Sequence, residues 1–403
     1  MKILFLTDNF PPEVNAPATR TYEHCKEWVA QGAEVTVITC FPNFPKGEVY
    51  EGYRNQWRKE ETIDGIRVIR VWTYISANKG FLKRTLDYVS FGLMATIHSW
   101  WVKADLIVAT SPQFFTALGG YSSSILKRKP WVMEVRDLWP ESIKAVGAMQ
   151  EDSKVLHWLE RLELKLYRHA RKVVVVTDAF KTNITTRGID LAKVEVIKNG
   201  VHAAQFEPMS RDTSLEKQLG LQGKFVVGYI GTHGMAHKLD FILEAAAKVT
   251  NPAIHFLFLG DGAEKQRLLA LKEQLCLLNV TMLPFVPKAE VKHYISLTDV
   301  ALVPLKKSDT FKTVIPSKIF ENAAMQKPIL LGVEGESKAI IEQYGAGLCF
   351  EPENEMDFLT QLERLASDAQ LYTEKQKGCA LLANDFDRQK LALQLLSVLK
   401  ETI

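Results

Sequence analysis

Phe225-Val226-Val227-Gly228-Tyr229-Ile230-Gly231-Thr232-His233-Gly234-Met235-Ala236-His237-Lys238-Leu239-Asp240 is the stretch at which the chain begins a second time. Its first six residues form a continuous apolar run. Such a run suits a buried parallel strand, because helices covering both faces remove the need for polar alternation. Two glycines and a lysine then lead into a helical pattern, Leu239–Val249. The chain opens in the same order, with a run at Lys2–Thr7, a loop, and a helical pattern at Ala18–Gln31.

From these two starts the alternation spreads. Runs at Glu34–Thr39, Arg67–Trp72, Leu106–Ala109, Trp131–Val135, Lys172–Val176 and Val194–Ile197 read as strands of the first half, with a further helical pattern at Asp152–Ala170. In the second half, His255–Leu259, Val280–Leu283, Val300–Val303, Ile329–Leu331 and Leu348–Phe350 read as strands. Helical patterns at Glu264–Cys276, Lys288–Leu297, Ser317–Met325 and Lys338–Tyr344 separate them. Strand and helix in turn imply right-handed crossovers and a doubly wound sheet. A chain of 403 residues also exceeds the roughly 250–300 residues at which single cores stop growing.

We therefore expect an α/β protein of two Rossmann-like, doubly wound domains facing a central cleft. Asn199-Gly200, Pro208 and the polar Ser210–Ser214 stretch break the periodicity between them. The expected domains are 1–207 and 208–385. The last helical pattern, Arg388–Glu401, has no strand after it and is free to pack on either half, including back on the first.

A composition of 47% hydrophobic and 24% charged residues is that of an ordinary globular protein, and argues against disordered, fibrous and multi-span membrane classes. Asp8 interrupts the N-terminal apolar run, so it does not read as a signal peptide. Cys25, Cys40, Cys276, Cys349 and Cys379 lie far apart and read as buried free thiols in a reducing, cytoplasmic compartment, with no metal-ligand spacing. Residues 1–200 carry 28 Lys and Arg against 22 Asp and Glu, whereas residues 201–403 carry 22 against 25. This bias suggests that the first half meets something anionic, such as phosphates or a lipid surface. No nucleic-acid motif accompanies it.

In such sheets ligands bind beyond the carboxyl ends of strands, so chemistry is sought there. After the first strand, Asp8 to Arg20 form a Pro-rich loop entering a helix, and Asn15 stands at that entry. A helix start offers free N–H groups to a phosphate, although a plain connector would read the same way. Gly231, Thr232, His233 and Gly234 let backbone approach a ligand closely, and Lys238 adds a cation, a combination that suits a diphosphate. Gly260-Asp261-Gly262 repeats the theme more weakly, since turn chemistry alone explains it. In Val314-Ile315-Pro316-Ser317-Lys318-Ile319-Phe320-Glu321, Pro316 opens a helix. Ser317 and Lys318 suit a pyrophosphate, and Glu321, one turn on, suits ribose hydroxyls. In the first half, Arg136, Asp137 and Trp139 follow a buried strand within Arg136-Asp137-Leu138-Trp139-Pro140-Glu141-Ser142.

Taken in order, these elements resemble the retaining glycosyltransferases of family four, which have the GT-B architecture. Asn199-Gly200-Val201 adds to the series, which spans nearly the whole chain. The Arg-Asp-Leu-Trp-Pro-Glu-Ser form is similar to a bacterial subgroup building surface polysaccharides, including N-acetyl-L-fucosaminyl transferases of O-antigen and capsule synthesis. The resemblance implies a UDP-activated amino sugar as co-substrate, no separate cofactor and no metal. It also implies a saccharide acceptor, commonly lipid-linked.

Carried over residue by residue, the donor site comprises Asn15, Gly231, Thr232, His233, Lys238, Gly260, Asp261, Gly262, Val314, Ile315, Ser317, Lys318 and Glu321. Asn15, Arg136, Asp137 and Trp139 fall on the acceptor side. The catalytic set is Asp137, as positioner or helper base, with Lys238 and Glu321. The chain departs from the family pattern at four places. Thr313 stands where the first of two glutamates is usual, and Thr232 where an arginine is. Asn15-Ala16 replaces a glycine pair, and Thr110-Ser111-Pro112 occupies the stretch of a common histidine.

A lipid-linked acceptor would bring the protein to the inner membrane face. Lys79-Gly80-Phe81-Leu82-Lys83-Arg84 and the following apolar helix, with Phe91, Leu93, Met94, Trp100 and Trp101, could lie in that interface or pack in the core. Two other readings stay open at this point: a nucleotide-sugar epimerase of the same architecture, and a non-catalytic nucleotide-sugar-binding module.

Overall fold

The structure, a computed structural model, describes residues 1–76, 81–111, 114–139 and 153–403. The chain divides into two units. The first is Met1–Lys198 together with Arg388–Ile403, and the second is Asn199–Asp387.

The first unit is built on an eight-stranded sheet. In chain order the strands are β1 (Lys2–Leu6), β2 (Glu34–Cys40), β3 (Arg58–Ile63), β4 (Ile66–Val71), β5 (Leu106–Thr110), β6 (Trp131–Val135), β7 (Lys172–Val175) and β8 (Val194–Val196). Their spatial order is β3-β4-β2-β1-β5-β6-β7-β8. All pairings are parallel except β3 with β4. The order reverses between β1 and β5, which is the switch point at which open sheets form a crevice.

β3 was not expected. Its sequence, Arg-Lys-Glu-Glu-Thr-Ile, has no apolar run, because it is an edge strand with its side chains largely in water. Cross-strand ion pairs from Arg67 to Glu60 and Arg70 to Glu61 hold it to β4.

Helix Ala16–Ala30 starts where Asn15 caps it, accepting the Ala18 N–H at 2.8 Å. Its inner face buries Cys25 and Trp28 against Ile3 and Phe5 of β1. The C-terminal helix Arg388–Lys400 packs into the same cluster through Leu391, Leu395, Leu396 and Leu399. Two polar links fix its register: the Trp28 indole donates to the Ala392 carbonyl at 2.8 Å, and Arg388 meets Glu23 at 2.7 Å. The last helix thus belongs to the first unit.

The second unit has a six-stranded, all-parallel sheet: β9 (Phe225–Ile230), β10 (Ile254–Leu259), β11 (Val280–Leu283), β12 (Val300–Pro304), β13 (Ile329–Gly332) and β14 (Gly347–Cys349). Its order is β11-β10-β9-β12-β13-β14, with the switch point between β9 and β12. The loops after these two strands are the glycine–lysine loop and the one leading to Ser317. Topology therefore brings together two motifs about eighty residues apart in sequence.

The cysteines form no disulfide, but Cys276 is exposed and Cys349 only partly buried, whereas Cys25, Cys40 and Cys379 are buried. Among the described residues no helix is long and apolar enough to cross a membrane. Pro112, Pro140, Glu141, Ser142, Lys79 and Gly80, each part of a motif above, lie outside the described residues.

Candidate functional site

In the second unit, β9 ends at Gly231, whose φ is +145°. A β-carbon there would stand 2.9 Å from the Lys318 Nζ, so the missing side chain is what admits this ammonium to the strand end. Lys318 opens helix Lys318–Ala324, and its Nζ lies 3.9 Å from the centre of the Tyr229 ring. The Nζ is buried and has no hydrogen-bond acceptor among the described residues. Burial pulls its pKa down to about 7, against the opposing pull of Glu321 one turn along. A buried ammonium with no hydrogen-bond acceptor is costly, and an anionic ligand would relieve that cost.

Ser317 precedes this helix and its hydroxyl makes no capping bond. The preceding turn is fixed from outside: Ser337 donates to the Val314 carbonyl at 2.7 Å, and Val314 itself is 38% exposed. Ile315 packs at the margin of the second unit's core. Thr313 turns back on its own loop, donating to the Thr310 carbonyl at 3.1 Å.

The Gly260-Asp261-Gly262 loop has a different task. A β-carbon on Gly260 would sit 1.9 Å from the Gly231 carbonyl oxygen, and one on Gly262 2.5 Å from that of His233. The His233 N–H donates to the Asp261 carbonyl at 2.8 Å. These glycines let the loop after β10 buttress the loop after β9. Asp261 accepts from the Gly262 N–H at 2.8 Å.

His233 is wholly buried and neither ring nitrogen has a partner among the described residues. Burial, with Lys265 and Lys318 nearby, pushes its pKa to about 4, so the ring is neutral at pH 7. His237 is held at about 4 by burial and Lys318. Both imidazoles lie within 6 Å of the Tyr229 ring.

Lys238 pairs within its own loop. It adopts a left-handed φ of +48° before helix Leu239–Ala246, and its Nζ meets Asp240 at 3.3 Å. Asp240 is shared with Arg267 at 3.0 Å. Together with Glu264 and Lys306 these groups line a hollow of about 200 Å³. A lysine in this backbone region is strained by roughly 1–2 kcal/mol, an arrangement that recurs at functional sites.

Tyr229, His237, Lys265 and Lys306 escaped the sequence reading. Tyr229 hides inside an apolar strand run, where its hydroxyl, donating to the Thr232 carbonyl at 2.6 Å, leaves no signal. Lys265 spends its charge on the Gly260 and Leu283 carbonyls at 3.1 and 2.6 Å.

In the first unit, Arg20 and Glu134 form a buried ion pair at 3.0 Å. Burial opposes ionisation of Glu134, but the Arg20 and Arg136 charges overcome it and hold the carboxyl at about 2. Arg20 also donates to the Ile197 and Lys198 carbonyls, both at 2.9 Å, stitching helix Ala16–Ala30 to the end of β8.

Arg136 leaves β6 with its N–H on Ser111 Oγ at 2.9 Å. Its Nε and Nη1 are buried and without acceptors among the described residues, and burial lowers its pKa to about 10. The Asp137 carboxyl reaches the surface, and partial loss of hydration raises its pKa. Trp139 stacks on Phe114, with centroids 5.3 Å apart and planes 9° from parallel, against the unit's core. Asn15 is committed at both ends of its amide, as the helix cap and through an Nδ2 bond to Asn9 at 2.7 Å.

Residues 15–200 match the family model described as a glycosyl transferase 4-like domain, and residues 210–379 that of glycosyl transferases group 1. A protein named as a colanic acid biosynthesis glycosyl transferase, WcaI of Escherichia coli, is 26% identical over 368 residues, or 88% of this chain and 89% of that one. A protein named as the glycosyltransferase WbjE of Pseudomonas aeruginosa is 30% identical over 222 residues, about half of each chain. Among solved structures, sucrose-phosphate synthase of Thermosynechococcus elongatus superposes with a TM-score of 0.76, at 16% identity, over 99% of this chain and 98% of its own. HepE of Anabaena, in complex with UDP and glucose, gives 0.70 at 17% identity over the full length of both. The two parallel-sheet units, the ordered motifs and these matches agree: the chain is a glycosyltransferase and belongs to the family-four glycosyltransferases of GT-B fold.

Proposed function

We propose that the second unit binds a nucleoside-diphosphate sugar, with UDP as the nucleotide, and that the first unit holds a saccharide acceptor. The observation that carries this reading is the Lys318 Nζ, buried with no acceptor among the described residues, against Gly231 at the β9–β12 switch point. Solved proteins of the same fold are held with UDP and UDP-glucose. Relatives named for colanic acid and teichuronic acid synthesis support a role in building a bacterial surface polysaccharide. For the donor sugar we propose an N-acetylated amino sugar such as N-acetyl-L-fucosamine, from the Arg136–Ser142 motif.

In the proposed reaction an acceptor hydroxyl bonds to the anomeric carbon as the bond to the diphosphate oxygen breaks, with retention of configuration. The leaving phosphate oxygen takes the hydroxyl proton. Charge builds on the diphosphate, where Lys318 and Ser317 stabilise it. Lys238 joins them by leaving Asp240. Glu321 holds the ribose hydroxyls, and the loop at Gly260–Gly262 keeps the glycine loop in place. Asp137, with its raised pKa, positions the acceptor hydroxyl, and no enzyme nucleophile is assigned.

Titration calorimetry against UDP, GDP and ADP tests the donor assignment. UDP binding at least about tenfold tighter than the others is expected. An epimerase would instead isomerise the sugar without acceptor, and a binding module would bind UDP-sugar without releasing UDP.

A further inference from the structure

The two lysines of the second unit's candidate site are held in different ways. Lys238 rests on the Asp240 carboxylate at 3.3 Å. Lys318 rests on a ring: its Nζ lies 3.9 Å from the centre of Tyr229 and has no hydrogen-bond acceptor among the described residues. That separation is well inside the roughly 6 Å over which a ring face attracts a cation.

Tyr229 is itself fixed. It is wholly buried in β9, and its hydroxyl donates to the Thr232 carbonyl at 2.6 Å. Phe258, His233 and His237 surround it, with ring centroids 6.1, 5.8 and 5.7 Å away. Burial raises the pKa of the phenol, so it keeps its proton and the ring stays neutral. His237 in turn bonds to the Pro304 carbonyl at the end of β12, and the Lys306 N–H donates to the Ala236 carbonyl at 2.8 Å. The seat of Lys318 is thus fixed from both strands of the switch point.

This seat does not compete with an anion. A ring face attracts an ammonium without using its N–H groups, whereas a carboxylate would have to be displaced by the ligand. The titratable groups around the Nζ are Glu321 on its own helix, Tyr229 on β9, and His233 and His237 on the following loop. Both imidazoles are neutral at pH 7, so Lys318 is the charge that this cluster of rings carries.

We propose that Tyr229 is a positioning residue for the transfer reaction: its π face holds the Lys318 ammonium at the end of β9 with its N–H groups unspent, so that the donor diphosphate meets a cation already in place. Tyr229 acts through Lys318 and touches no substrate. The inference rests on the reading that Lys318 meets that diphosphate.

Four full-length proteins test it: wild type, Tyr229→Phe, Tyr229→Phe carrying a fluorinated ring, and Tyr229→Leu. Fluorine withdraws electron density from the ring face while keeping its shape, which weakens the hold on a cation without opening a cavity. Carbon NMR follows the titration of the Lys318 ε-carbon in the unliganded proteins, with Lys318→Arg for assignment. Calorimetry with UDP-glucose is run on the same proteins from pH 6 to 9. Tyr229→Phe is expected to match the wild type in both. The fluorinated and leucine proteins are expected to titrate at lower pH, by about half a unit or more. They are also expected to bind UDP-glucose at least about threefold more weakly at pH 7, and to lose affinity from a lower pH. A purely structural role would lower the thermal transition and leave the titration in place. Equal titration midpoints in the wild type and the fluorinated protein would overturn the proposal. A shifted midpoint with no UDP-glucose binding, even by the wild type, would overturn the donor reading and with it the positioning role, leaving the ring contact intact.

Discussion

Lys318 is the residue on which most of the proposed donor chemistry turns. With a pKa near 7 in the free protein, it is protonated below neutrality and loses its charge above. A bound diphosphate favours the protonated form and raises that pKa. Affinity for a UDP-sugar, whose diester diphosphate keeps its charge across this range, should therefore be constant below pH 7. Above that it should fall, by up to about tenfold per pH unit. Titrations between pH 6 and 9 check this, and a flat profile would mean that Lys318 does not meet the anion.

Lys238 predicts an opposite pair of effects. Lys238→Gly removes the left-handed strain at φ +48° and should stabilise the fold by about 1 kcal/mol. The same change should weaken donor binding. A variant both more stable and tighter-binding would remove Lys238 from the site. Glu321→Ala should keep the thermal transition near that of the wild type while abolishing turnover, so full activity in that variant would refute the ribose role. These residues were legible because each follows a strand. Tyr229 and His237 were not, since their meaning lies in which ring faces Lys318, a fact of packing that linear order does not carry.

At the scale of elements, the interior strands could be read from their apolar runs, since burial on both faces writes itself into composition. β3 could not, because an edge strand in water needs only a partner and ion pairs. The affiliation of the last helix was also hidden: four leucines announce a buried face but not which unit covers it. The structure answers this with the Trp28 bond to Ala392 and the shared cluster on β1. Leu395→Ala should accordingly cost about 2–5 kcal/mol in the stability of the first unit, read from denaturant unfolding. UDP binding in the second unit should survive at temperatures where the first unit remains folded.

The Arg20–Glu134 pair joins helix Ala16–Ala30 to β6. Its carboxyl is depressed from 4.5 to about 2, so its stabilisation is complete above pH 4.5 and is lost as pH falls toward 2. Glu134→Gln removes the buried carboxylate that faces Arg20 and Arg136 and should cost about 3–5 kcal/mol. Acid unfolding curves of the two proteins should then converge near pH 2. A variant as stable as the wild type at pH 7 would show the pair to be dispensable.

For the molecule as a whole, the repeated strand–helix order was enough to expect two α/β units, and the family assignment follows from the motifs in their order. The distribution of chemistry between the units is uneven. The second has a cation waiting at a glycine strand end. The first has a buried Arg–Glu pair, an Arg136 whose Nε and Nη1 have no acceptor among the described residues, and a cationic, tryptophan-bearing edge away from its crevice. Thr232 and Thr313 stand where two charged groups are usual in the family, so in the proposed donor site Lys318 takes a larger share of the diphosphate charge.

Calorimetric titration of UDP into the wild type and Lys318→Ala, side by side at pH 7, therefore tests the central claim most directly. The account predicts a single saturable site in the wild type and a loss of at least about tenfold in the variant, corresponding to roughly 1.4 kcal/mol. Equal affinity in the two proteins, with both folded, would contradict it.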